Sequence, residues 1–235
     1  MSQNKIYNLK KFGYLELDNI NLKILSTIKK KINYAFDEAI QLSKKNDLSK
    51  NEFNHFIEKV ERGSLDIDCT VDSENLSLEL VKKLEIIDLA KIYWKCDKIK
   101  YSRSYSKFRY VDPLNFSQTK YSPLHYDGAF LKNNRSINIC IPFTGYGGEY
   151  PGLQIFPLTK NFFMKKIILR TPRFSFLNLF LKSYKPVIKK GNYICFNQNV
   201  YHKRTIDNSN KTRINLEFRI FPDYINDKTL DLKII

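Results

Sequence analysis

The 235-residue sequence predicts a mainly β fold with α-helical support, and three observations carry that expectation. Apolar residues recur every three or four positions up to about residue 95. Beyond Lys98 the pattern changes to short β-branched and aromatic runs broken by Pro, Gly and Asn turns. No repeat, low-complexity tract or flexible linker separates the two textures, so one domain over 1–235 is expected, with a helical layer over 1–97 packed on the β-rich remainder. With 43% hydrophobic and 14% aromatic residues, a chain of this length can fill a sizeable core.

The first helix is expected over 20–45, where Ile24, Leu25, Ile28, Ile32, Ala35, Phe36, Ala39 and Ile40 make one apolar stripe behind Asp18 and Asn19 as caps. Ser49-Lys-Asn-Glu52 reads as a capping box that opens a second helix with the stripe Phe53, Phe56, Ile57 and Val60. His55 lies off that stripe and reads as a solvated helix residue. A third helix is expected from about 74 to 95, with Leu80, Leu84, Ile87 and Tyr93 following Asp72 and Ser73. Strands are expected over 99–111, 135–143, 152–157, 192–198 and 212–221, while 160–186 fits a short helix or strands equally.

Charge and cysteine usage bound the partners. Forty Lys and Arg against 24 Asp and Glu give a net charge of +16, but no dense basic block stands out, so a nucleic-acid partner is disfavoured. An anionic small substrate, phosphorylated or nucleotide-linked, fits the excess equally well. No apolar run approaches the roughly 18 residues of a membrane span, and MSQNKIYNLKK has no signal-peptide pattern, so a cytoplasmic location is expected. Cys69, Cys96, Cys140 and Cys195 are widely spaced without a C-x-x-C pair and read as buried, reduced residues.

Two strands show a chemical division between their faces. In Lys211-Thr-Arg-Ile-Asn-Leu-Glu-Phe-Arg-Ile-Phe221, period-two alternation puts Ile214, Leu216, Phe218 and Ile220 opposite Arg213, Asn215, Glu217 and Arg219. Ser136-Ile-Asn-Ile-Cys-Ile141 does the same more mildly. Either the sheet has one face in water or it is folded around a polar cavity.

The residues that carry chemistry are His125 and Asp127, in Ser122-Pro-Leu-His-Tyr-Asp-Gly-Ala-Phe130, together with His202. An extended segment points i and i+2 to the same side, so an imidazole and a carboxylate can reach one ion. By itself H-x-D is a common pattern. Two histidines and one carboxylate, however, can occupy one face of an octahedral iron(II) and leave the opposite face open. Eleven residues past His202, Arg213 lies on the polar face of the next strand, where a planar guanidinium can bind a carboxylate through two parallel hydrogen bonds.

This order of residues resembles the iron(II)- and 2-oxoglutarate-dependent oxygenases, and within them the phytanoyl-CoA dioxygenase type. Closer still is a likeness to oxygenases of carbohydrate and aminoglycoside clusters, carried by His125-Tyr-Asp127, Ile137-Asn-Ile-Cys-Ile-Pro-Phe-Thr144 and Asn208-Ser-Asn-Lys-Thr-Arg-Ile-Asn-Leu-Glu-Phe-Arg219. The resemblance covers about residues 98–221 and implies a double-stranded β-helix (jelly-roll) core there. It implies that His125, Asp127 and His202 hold iron(II), that Arg213 pairs the far carboxylate of 2-oxoglutarate, and that dioxygen (O2) is consumed. The implied reaction is hydroxylation of a C–H bond in a small polar or anionic intermediate such as a carbohydrate. Asp127 fills the position that related halogenases leave to a small residue, which disfavours halogenation. Asn138 and Arg219 are expected to contact the cosubstrate, with Arg219 open to the substrate as well. Tyr105 and Arg109 are expected to line the pocket, although an outward salt bridge suits Arg109 equally. Three other readings stay open: a nucleic-acid or nucleotide dealkylase of the same superfamily, a cupin-like metal- or sugar-binding protein, and a β protein with no site. The sequence leaves the oligomeric state and the substrate open.

Overall fold

A computed structural model describes residues 2–18, 20–47, 49, 52, 73–102, 104–111, 113, 124–132, 134–157, 182–205 and 209–235. Helix α1 (Ser2–Phe12) leads into strand β1 (Tyr14–Leu17), and α2 (Leu22–Lys45), α3 (Ser73–Val81) and α4 (Glu85–Trp94) follow. The strands are β2 (Ile99–Ser102), β3 (Lys107–Val111), β4 (Ile137–Pro142), β5 (Gly152–Phe156), β6 (Tyr193–Asn197), β7 (Tyr201–Thr205), β8 (Arg213–Pro222) and β9 (Leu232–Ile234).

Seven strands form a main antiparallel sheet in the order β1-β6-β4-β8-β2-β9, with β3 also paired to β8. The ten-residue β8 is its centre: its first half pairs β3 and its second half pairs β2, while β4 runs along its other side. A smaller sheet pairs β5 with β7 and is widened by single bridges from His125 to His202 and from Ile155 to Tyr184. The two sheets form a jelly roll.

Packing explains the two-faced strands. Ile137, Ile139 and Ile141 of β4 and Leu216 and Phe218 of β8 join Leu25, Ile28, Leu89 and Trp94 of the helices in one core. On the opposite face, Cys140, Ile194 and Phe196 meet Ile155 of the smaller sheet and Val200 just before β7. All six residues of β4 are therefore buried, and the polar face of β8 is covered as well, with Arg213, Asn215 and Arg219 buried. Of the two expected arrangements, the sheet folded around a polar interior is the one observed.

Helix α2 carries the stripe expected of it, with Leu25, Ile28, Ile32 and Phe36 buried. Its cap is Asn21 rather than Asp18 or Asn19. The Ile20 amide donates to Gly191 O at 3.0 Å, which holds the chain against the sheet one residue longer. The Asn21 side chain then accepts from the amides of Lys23 and Ile24. Burying a side chain of this kind contributes about 1.5–3 kcal/mol, against about 1 kcal/mol for a cap, so the stripe fixes where α2 lies. Asn21→Ala is accordingly expected to lower unfolding free energy by about 1 kcal/mol in a urea titration and leave the fold in place.

Other expectations need adjustment. The single helix over 74–95 is two, because Leu84 is extended between α3 and α4 (φ −83°, ψ 137°), and the break lets Val81, Leu84 and Ile86 all reach the core. The strand over 99–111 divides into β2 and β3 around a turn at Ser104 and Tyr105, closed where Ser106 Oγ donates to Ser102 O at 2.7 Å. Strands β1 and β9 extend the main sheet beyond 98–221 at both edges, and α1, β1, β7 and β9 were not expected from the sequence. Ser49 and Glu52 make the reciprocal contacts of a capping box, and the helix expected after them, with His55, lies outside the described residues. So do Cys69 and most of 160–186. Cys140 and Cys195 are buried free thiols, whereas Cys96 is only half-buried. Among the described residues no helix is long and apolar enough to cross a membrane.

Candidate metal centre and anion site

The two histidines meet through the backbone. The His125 amide donates to His202 O at 3.1 Å and the His202 amide donates to His125 O at 2.8 Å, so the side chains project from directly opposed positions, ring centroids 4.4 Å apart. Tyr126 is extended (φ −129°, ψ 144°), which returns Asp127 to the side of His125. Tyr126 itself turns to the ring of Tyr201, 4.9 Å away. A 3-10 turn begins at Asp127, and Gly128 N fastens it to Gln198 O at 2.9 Å.

Asp127 Oδ1 lies 3.9 Å from His125 Nε2 and 3.7 Å from His202 Nε2, and one ligand atom from each residue falls within 4.8 Å of the others. Ligand atoms at right angles, each about 2.1 Å from one ion, are about 3 Å apart, so small side-chain rotations bring this set onto a metal. His202 is prepared for ligation. Its Nδ1 lies 3.0 Å from Val200 O, an atom that can only accept, so Nδ1 carries the proton and Nε2 presents its lone pair. Burial holds the His202 imidazole below its usual pKa against the opposing pull of Asp127, which favours the neutral form a metal requires.

The second oxygen of Asp127 is occupied. Arg219 Nη2 donates to Oδ2 at 2.5 Å, and both side chains are buried. The Arg219 guanidinium sits 5.2 Å from the Tyr105 ring centroid and 5.3 Å from that of Phe130. Arg219, expected to meet the cosubstrate or the substrate, lines the cavity and contacts Asp127 of the candidate metal cluster. Asn138 is its register partner across β4 and β8, and the Asn138 Oδ1 atom is buried without a hydrogen-bond partner among the described residues.

Arg213 is the most informative single side chain. It is 1% exposed, its Nη1 donates to Pro151 O at 3.1 Å, and its Cζ lies 4.7 Å from the Tyr146 ring centroid. Its Nε has no hydrogen-bond partner among the described residues. A guanidinium withdrawn from water pays a desolvation penalty of several kcal/mol; the Pro151 carbonyl and the charge of Glu217 offset part of it, and the Nε donor stays open toward the cavity.

A cavity of about 290 Å³ between the sheets brings these groups together. Its lining includes all eight residues singled out in the sequence: His125, Asp127 and His202, with Asn138, Arg213 and Arg219, and also Tyr105 and Arg109. Tyr105 reaches it from the turn between β2 and β3 rather than from a strand. Arg109 is in a salt bridge, with Nε 3.0 Å from Glu217 Oε2, yet the pair faces the cavity and not solvent. Lys107, Arg204 and Glu217 also line it and were missed. Their signal was parity: Lys107 stands two residues before Arg109, and Arg204 two after His202.

No family model and no curated protein matches the sequence. Solved structures do match the fold. The crystal structure of EctD from S. alaskensis with 2-oxoglutarate and 5-hydroxyectoine superposes with a TM-score of 0.63 at 13% identity, over 94% of this chain and 76% of that one. The non-haem alpha-ketoglutarate-dependent epimerase SnoN from nogalamycin biosynthesis gives 0.57 at 10% identity, over 94% and 80%. The fold is that of the non-haem 2-oxoglutarate-dependent enzymes. AviO1 from Streptomyces viridochromogenes Tue57 matches almost end to end, with a TM-score of 0.60 at 10% identity over 97% of each chain. Most of each neighbour is therefore spanned by this chain. At such low identity the likeness concerns the jelly roll alone, and the chemistry has to be argued from the residues.

Proposed function

We propose that the protein is an iron(II)- and 2-oxoglutarate-dependent oxygenase that hydroxylates a C–H bond of a small polar or anionic molecule. The observation that carries this reading is a two-histidine, one-carboxylate cluster, with Asp127 and His202 buried and His125 half-buried, sharing a cavity with a buried arginine whose Nε lacks a partner among the described residues. His125, Asp127 and His202 would hold the metal, and Arg213 would pair the distal carboxylate of 2-oxoglutarate. Iron(II) with 2-oxoglutarate and dioxygen supplies the oxidation, releasing succinate and carbon dioxide.

The chain's own part is positional. Val200 O fixes the His202 tautomer, and Arg219 holds Asp127 by Oδ2 so that Oδ1 stays turned to the histidines. Asn138 brings an acceptor that suits a hydroxyl or amide of a bound molecule. Phe196, Leu153 and Cys140 add an apolar portion to the cavity wall, and the Phe196 ring centroid lies 4.7 Å from that of His202. Hydroxylation is the outcome proposed because all three protein ligands are present. SnoN, described as an epimerase, has the same fold, so the fold does not select the outcome.

Anaerobic addition of iron(II) and then 2-oxoglutarate to the full chain tests the reading. A weak visible charge-transfer band should appear only when both are present, followed by succinate release on admission of air. Metal binding with no band and no succinate would leave a cupin-like metal protein. No metal binding at all would leave a β protein without a site.

A further inference from the structure

The cavity carries more positive charge than the proposed cofactors use. Among the described residues, its lining holds Lys107, Arg109, Arg204, Arg213 and Arg219 against two carboxylates, Asp127 and Glu217. Iron(II) and a 2-oxoglutarate dianion would cancel each other, so binding both leaves that excess intact. Arg219 is committed to Asp127, and Arg213 has the deep position over Tyr146. Lys107, Arg109 and Arg204 remain, grouped around Glu217.

The grouping follows from topology. Lys107 and Arg109 project from the same side of β3, and β3 pairs β8 so that Lys107 is opposite Glu217. Arg204 comes from β7 in the facing sheet and acts on the same carboxylate across the cavity. Burial alone would raise the Glu217 carboxyl, yet Arg109, Arg213 and Arg204 together hold it well below the usual range. Glu217 is thus an anion at neutral pH that orders the surrounding cations. All three cations are half-buried, and each already makes a contact within the protein, so the ring is prearranged and not a set of waving surface chains. Gathering like charges at a partly desolvated wall is costly unless an anion enters among them.

We propose that Lys107, Arg109 and Arg204, organised by Glu217, form a second anion subsite that takes the phosphate monoester group of the substrate. This rests on the oxygenase reading only for the word substrate. Within the cavity lining, three cations beside the one carboxylate of Glu217 suit a phosphate monoester at about −1.5 to −2 better than a carboxylate at −1. Two arginines and a lysine also present more donors than a carboxylate can accept.

The test uses calorimetry on the metal-free full chain, so its result stands whether or not iron and 2-oxoglutarate bind. The probes are inorganic phosphate, glucose 6-phosphate, glucose and acetate. Phosphate and glucose 6-phosphate should bind with a Kd of about 1 mM or below, with acetate at least about tenfold weaker and glucose silent. The double variant Lys107→Met/Arg204→Met should weaken phosphate about tenfold or more, and each single variant less. Melting curves of the variants establish that they are folded, with the singles in reserve should the double unfold. The proposal is overturned if phosphate fails to bind at about 10 mM, if acetate binds as tightly, or if Arg213→Met removes phosphate binding while the double variant keeps it. If phosphate binds without glucose 6-phosphate, the subsite is one for free phosphate and the substrate assignment falls. Failure of the anaerobic iron titration, by contrast, removes the oxygenase reading and leaves the phosphate result untouched.

Discussion

Arg213→Met is expected to weaken 2-oxoglutarate binding to the metal-loaded chain by about 30-fold to several thousand-fold, the equivalent of roughly 2–5 kcal/mol for truncating one partner of a desolvated charge pair. The range is large because the guanidinium is 1% exposed and its Nε has no hydrogen-bond partner among the described residues. Lysine at the same position should recover part of the affinity, since it restores charge but neither the two parallel bonds nor the stacking on Tyr146. The stability of the ligand-free chain separates function from structure. Methionine fills much of the same volume and removes a buried, poorly compensated charge, so urea unfolding should show equal or greater stability. A variant that lost stability and kept 2-oxoglutarate affinity would make Arg213 a structural residue bound to Pro151 and Tyr146 alone.

How much of this was legible depended on whether local pattern or long-range pairing made each feature. Strand β8 could be read because its two faces differ in chemistry at every step from Arg213 to Ile220, and each face found a buried destination. The H-x-D segment could be read because Tyr126 is extended. Strand β7 could not, since Tyr201-His-Lys-Arg-Thr205 has no apolar alternation and is a strand only through its pairing with β5 and His125. Missing β7 hid Arg204, whose direction follows from His202 once the strand is known. The break at Leu84 has no Gly or Pro to announce it, and tertiary burial of the flanking residues decides it. Tyr105 was assigned by strand parity, yet it reaches the cavity from a turn. The Arg219–Asp127 pair was hidden most completely. Its members are 92 residues apart, and only the register of β4 on β8, which sets Arg219 beside Asn138, makes the contact intelligible.

Asp127→Ala is expected to have two separable consequences, and Arg219 is the reason. Loss of the carboxylate leaves two histidines, and iron(II) or cobalt(II) affinity should fall by more than about 100-fold, beyond the roughly 10- to 100-fold typical of losing a supporting residue. The same change strands the Arg219 guanidinium, which is buried and whose Nε and Nη1 already lack partners among the described residues. Breaking a buried pair from one side costs about 3–5 kcal/mol, so the metal-free variant should also unfold at markedly lower urea. Arg219→Met alone should leave the ligands in place and weaken metal about 10- to 100-fold, because Asp127 loses the bond that fixes Oδ2 and holds Oδ1 toward the histidines. In the double variant the two effects part company. Asp127→Ala/Arg219→Met removes both charges, so most of the lost stability should return while metal affinity stays as low as in Asp127→Ala. Equilibrium unfolding and metal titration on the four proteins measure the coupling directly. Additive stability changes would mean that the 2.5 Å contact contributes nothing, and that Arg219 serves the cavity through its own donors instead of through Asp127.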